Sequence, residues 1–130
     1  MQGLLFVAFG GAFGAMLRFG INELCIWLLG RGFPFGTLVV NTLGSFMMGI
    51  LMGLVFTGHI EAHPWRQLVG LGFLGALTTF SSFAMDNVLL LQQGDFFKAG
   101  LNIFLNLTLT ILLALGGMAL VRQTLGYAIQ

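Results

Sequence analysis

Long apolar runs separated by short charged or polar clusters give the chain its organisation. The first runs uncharged from Gly3 to Leu17, meets Arg18 and Glu23, and continues through Leu29. Gly36 to Phe56 carries no charge, Gln67 to Leu91 is interrupted only by Asp86, and Ala99 to Val121 is again uncharged. About 20 apolar residues cross a bilayer as a helix. The pattern therefore predicts an all-α integral membrane protein with four transmembrane helices, over 3–29, 36–56, 67–91 and 99–121. Between them, Thr57–Arg66 (TGHIEAHPWR) reads as a polar loop and Gln92–Asp95 (QQGD) as a turn. Connections this short predict an up-down bundle forming one domain, 1–130, with both termini on one side.

The third run is the least regular. Gly70, Gly72 and Gly75 precede Thr78-Thr79-Phe80-Ser81-Ser82-Phe83. Glycine weakens a helix, and serine and threonine compete for its backbone hydrogen bonds. A break is expected near Gly75–Thr79, about the middle of this span. Carbonyls freed at membrane depth need a partner, which a buried cation or cavity water supplies. Phe80 and Phe83, three apart, share a helix face. Ring edges are partly positive and can meet an anion weakly; ordinary packing is the plainer reading of that spacing.

Polar groups elsewhere in the spans are few. Asn41 is the amide of the second run, and Asn102, Asn106 and Thr110 recur every four residues on the fourth. Such groups are costly in hydrocarbon unless partnered, so they should point into the bundle. They serve either as hydrogen-bond glue between helices or as the lining of a conduit. Amides and hydroxyls can turn a donor to an anion or an acceptor to a cation, so the row leaves the sign of the ion open. Small residues four apart, Gly10/Gly14 and Gly11/Ala15 on the first run and Ser45/Gly49/Gly53 on the second, predict close backbone approach, between helices of one chain or with a second subunit.

Composition narrows the classes. With 58% of 130 residues apolar and only 7% charged, the chain could not cover a soluble surface. A net charge of +1 gives no basic stripe for nucleic acid. The lone Cys25 leaves no internal disulfide, and His59 and His63, four apart in a loop, make no zinc site with a third ligand. No Ser/His/Asp or metal-ligand constellation supports an enzyme, and no GxxxxGK[ST] supports an ATP-driven pump. No basic stretch precedes the first run, so it reads as a retained helix rather than a cleaved signal. Arg66 and Arg122 fall with the termini, Arg31 and Lys98 on the other side, and Arg18 between. The positive-inside rule then has little to act on. Insertion both ways, and with it an antiparallel dimer, stands beside a single orientation set by the insertion machinery.

GFLGALTTFSSFAMD (72–86) resembles the third-helix signature of the Fluc (CrcB) fluoride channels, roughly GFxGGxTTFSTFSxE. GGAFGAMLRF (10–19) resembles that family's first-helix motif and GTLVVNTLGSFMMG (36–49) its second, so the likeness covers essentially the whole chain. The resemblance implies an antiparallel, dual-topology homodimer in the bacterial inner membrane, with two fluoride pores near the subunit interface, exporting cytoplasmic fluoride passively and conferring resistance. It implies that Phe80 and Phe83 are the pore phenylalanines and Asn41 the pore asparagine, with hydroxyls at Thr79 and Ser81. Thr110 falls where the family often has a pore serine, and Asn106 lies one turn earlier on that track. It further implies that the Gly75 and Thr78 carbonyls hold a structural sodium ion at the dimer axis.

Three positions depart from the pattern: Ser82 replaces a threonine, Ala84 a serine and Asp86 a glutamate. Asp86, with Arg18 as a candidate partner, is either a functional intramembrane carboxylate or an interfacial acid near a helix end. A small multidrug or cation/proton antiporter is the first rival reading, but its first helix should carry a glutamate where Arg18 stands. A non-transporting assembly subunit is the second.

Overall fold

The structure, a computed structural model, describes residues 1–128. It is helical, with no strand among those residues. α1 spans Gln2–Leu29 and α2 Phe35–Phe56. A third span, Ala62–Gln92, is composite. It opens with α3 (Ala62–Trp65), widens into π-helical winding over Arg66–Leu74, and tightens again in α4 (Gly75–Leu77). α5 (Phe80–Gln92) follows after two non-helical residues, and α6 is Phe96–Leu125. Four of these stretches are long and apolar enough to cross a membrane.

Each span reaches past the apolar run that predicts it. The third starts at Ala62, so the loop expected over Thr57–Arg66 is shorter and ends in helix. The fourth takes in Lys98 and Arg122. Polar end residues are no bar to helix once the chain leaves hydrocarbon, because backbone bonding continues to the cap. Gly30, Gly58, Gly94 and Gly126 then end helices or turn at positive φ, between 63° and 81°, where a side chain would strain the backbone.

Packing follows the glycines. α1 lies against the π-wound segment and α2 against α6. A Cβ on Gly10 would sit 2.0 Å from the Leu68 carbonyl oxygen, and one on Gly14 2.1 Å from that of Phe73. On the other seam, Gly49 would meet the Ala114 oxygen at 2.1 Å and Gly117 the Phe46 oxygen at 2.3 Å. Gly10/Gly14 and Gly49/Gly53 thus serve contacts within the chain, whereas Gly11 is half-buried and Ala15 exposed. A compact apolar core of Val40, Leu74 and Leu77 sits where α2 meets the third span.

The outside is apolar and much of the inside is polar. Phe9, Phe13, Trp27, Phe97 and Leu112 are exposed, while Thr37, Asn41, Thr79, Asn87, Asn102 and Asn106 are buried. Water would punish that distribution and lipid favours it. The Ala128 N–H donates to the Thr57 carbonyl at 2.8 Å, and the Phe6 ring meets His63 edge-on, centroids 5.7 Å apart. Both chain ends therefore share a side with the loop after α2.

Candidate functional site

Helical order stops at Leu77. Thr78 (φ −79°, ψ 155°) and Thr79 (φ −152°, ψ 117°) are extended, and helix resumes at Phe80. Extended backbone inside a helical span strands donors and acceptors, and neighbouring side chains take them up. In an unbroken helix the Thr79 N–H would reach the Gly75 carbonyl and the Ser82 N–H that of Thr78. Instead Thr79 N–H donates to Asn41 Oδ1 at 2.8 Å, while Asn41 Nδ2 donates back to the Thr79 carbonyl at 3.1 Å. The carboxamide pairs with Thr79 as a neighbouring strand would. Thr79 Oγ1 caps α5 by accepting from Ser82 N–H at 3.1 Å. α2 comes this close because Gly44 lacks a side chain: a Cβ there would lie 2.3 Å from Thr78 Cγ2.

The Gly75 and Thr78 carbonyls consequently lose their helical donors. A hard cation takes oxygen ligands of this kind. No group of three or more His, Cys, Asp and Glu that could hold a metal occurs among the described residues. The Gly75 and Thr78 carbonyls are oxygen donors of that kind.

A cavity of about 220 Å³ opens beside the break. It is lined by Asn41, Thr79, Phe80, Phe83, Asn106 and Thr110, together with Ser45, Thr78 and Leu107. Six of the seven residues expected in a pore thus meet at one place, drawn from α2, α5, α6 and the break. Ser81 is the exception: it is exposed, away from the cavity, with its hydroxyl 3.3 Å from that of Thr79. The two phenylalanine rings stand 5.3 Å apart, tilted by 51°. Phe83 is buried, whereas Phe80 is 76% exposed and faces out of the chain. Thr110 hydroxyl donates to the Asn106 carbonyl at 2.5 Å.

On the other side of Thr79 lies a second cavity, about 340 Å³, which holds Arg18, Asn22, Thr37, Ser82 and Asp86. A third, about 310 Å³, shares Asn22, Gly36, Thr37 and Asp86 with it and continues to Arg31 and Gln93 at the end of the bundle away from the termini. Arg18 and Asp86 share a cavity without pairing; the one salt bridge among the described residues joins Lys98 to Asp95. Asp86 Oδ2 instead accepts from the Thr37 hydroxyl at 2.7 Å. Thr37 was not singled out by the sequence, although it lies one turn before Asn41 on the same face of α2. Asn87 escaped too, beside Asp86 in what reads as a helix end. It is buried, one turn after Phe83, with its Nδ2 on the Phe83 carbonyl at 2.8 Å.

Comparison with known proteins adds a second line. The sequence profile of the family described as CrcB-like protein, Camphor Resistance (CrcB), matches residues 5–118. The chain is 66% identical over 106 residues to the fluoride-specific ion channel FluC of Photobacterium profundum, covering 82% of this chain and 84% of that one. It is 60% identical over 118 residues to that of Vibrio vulnificus, covering 91% and 94%. With the protein of that name from Aliivibrio salmonicida the identity is 61% over 118 residues, again covering 91% and 94%.

Proposed function

The chain belongs to the CrcB family, and from that premise we propose that it is a fluoride-specific passive ion channel that lets cytoplasmic fluoride out and so confers fluoride resistance. The observation that carries the reading is the cavity beside the helix break, where neutral donors and two phenylalanine rings converge with no fixed base among them. Fluoride is small and strongly hydrated. A path must replace its water with donors and still release it. The Asn41 Nδ2 hydrogens are shared with the Thr79 carbonyl and Asn106 Oδ1, so an anion competes for one rather than capturing it outright. Ring edges of Phe80 and Phe83 add weak positive contacts. No energy source is required, because neutral HF enters a cell, ionises inside, and leaves fluoride that can run down its own gradient.

The working unit is an antiparallel homodimer with two such paths near the interface. Phe80 supports this: it lines the cavity yet stands exposed on the single chain, where a second copy would cover it. Balanced loop charges support insertion in both orientations in the bacterial inner membrane. The freed carbonyls of Gly75 and Thr78 from two subunits, four oxygens in all, would hold a structural sodium. Such an ion would neutralise carbonyl charge that the helix no longer does.

Fluoride efflux from liposomes carrying the purified protein, with chloride as control, tests the reading. Rapid loss of fluoride alone is expected; vesicles no leakier than empty ones would overturn it. Cysteine cross-links that form only between parallel pairs would overturn the dimer.

A further inference from the structure

Four buried asparagines from three helices form one hydrogen-bonded chain with a fixed direction. Asn41 Nδ2 donates to Asn106 Oδ1 at 3.0 Å, Asn106 Nδ2 to Asn102 Oδ1 at 2.9 Å, and Asn102 Nδ2 to Asn87 Oδ1 at 3.0 Å. Both ends are backbone groups whose roles cannot be exchanged. The Thr79 N–H, only a donor, enters at Asn41 Oδ1, and the Phe83 carbonyl, only an acceptor, receives Asn87 Nδ2. A carboxamide can be turned by 180°, but turning any of these four would set oxygen against oxygen somewhere along the line. The chain therefore begins at the residue that caps α5 and ends on its first turn, the turn that carries Phe80 and Phe83, and ties it to α2 and α6.

Asn87 and Asn102 touch no part of the conducting cavity, yet they are 6% and 0% exposed. Apolar packing would fill those positions at less desolvation cost. We propose that Asn87 and Asn102 are positioning residues for fluoride conduction: they fix, through Asn106, which face of the Asn41 carboxamide looks into the pore, and they anchor Phe83 at the other end. This rests on the channel reading above.

Polarity gives a test that packing alone would not pass. In an Asn102→Asp protein the protonated side chain can still accept from Asn106 and donate its O–H to Asn87, whereas the carboxylate can only accept. Fluoride efflux from liposomes would be compared with wild type at each pH from 5 to 8, with Asn102→Leu and Asn87→Leu alongside. The nearest charges along the two helices are Asp86, held by Thr37, and Lys98, held by Asp95. Dividing by the wild-type rate cancels whatever the two proteins share. Asn102→Asp should run within a few-fold of wild type at the acid end and fall at least tenfold at the alkaline end. Both leucine proteins should be slow throughout, and the double leucine variant no slower than either, since each breaks the same line. Recovery on acidification shows that the aspartate protein is folded. A flat ratio for Asn102→Asp, whether active or inert, overturns the proposal, as do leucine variants at wild-type rates. Wild-type vesicles that lose no fluoride would instead remove the channel reading and this inference with it.

Discussion

Two parts of the bundle bring backbones together by opposite means. Along α1 and the π-wound segment, contact is made by leaving atoms out: Gly10 and Gly14 let carbonyl oxygens of Leu68 and Phe73 occupy the space of a side chain. Around the break, contact is made by adding polar atoms. Asn41 supplies both a donor and an acceptor to Thr79, and Asn106, Asn102 and Asn87 extend the line. The first seam depends on volume and is indifferent to charge. The second depends on the direction of each dipole and on full pairing, because an unpaired amide in a dry interior is costly. Shape holds the frame; oriented polarity is concentrated at the break and the cavity beside it.

The contrast can be broken from either end. Gly10→Val should have the largest effect, since its first carbon alone would lie 2.0 Å from a backbone oxygen. No monodisperse protein is expected on size exclusion in detergent. Asn41→Leu comes next. It keeps volume but strands the N–H and carbonyl of Thr79 together with Asn106 Oδ1, each stranded group costing about 1–3 kcal/mol. A clear fall in melting temperature is expected, with fluoride efflux down more than tenfold. Phe80→Ile should separate conduction from stability: the ring is exposed on the chain, so the melting temperature of the single subunit should barely move while fluoride efflux drops. The smallest effect is expected for Gly11→Ala, beside Gly10, where a Cβ would only reach 3.9 Å from the Gly72 oxygen. Yield and efflux should match wild type within experimental scatter, and a collapse there would show that the seam is not governed by side-chain volume.

The spans were legible because charge marks their ends. The prediction of 36–56 for the second helix differs from Phe35–Phe56 by one residue. Gly10, Gly14, Gly49 and Gly53 were legible as packing positions, but not which helix each would meet. Asn102 and Asn106 could be put on one face of α6 from their spacing. Their direction could not, since the order of donors and acceptors is set by Thr79 and Phe83 on another helix. The π winding over Arg66–Leu74 left no mark beyond its glycines. Thr37 and Asn87 were missed for a common reason: each owes its role to a partner brought in by tertiary packing, Asp86 for one and Asn102 for the other.

Cutting one span between Leu77 and Phe80 has an electrical result as well. Peptide dipoles align along a helix, leaving its last turn partly negative and its first partly positive. The third span therefore carries both poles at mid-membrane, the carbonyl-rich end of α4 and the amide-rich start of α5, two residues apart. An unbroken rod would have put those poles out at the headgroups. Within the bilayer, one stub favours positive charge and the other negative, so a single interruption of the backbone sets opposite potentials side by side.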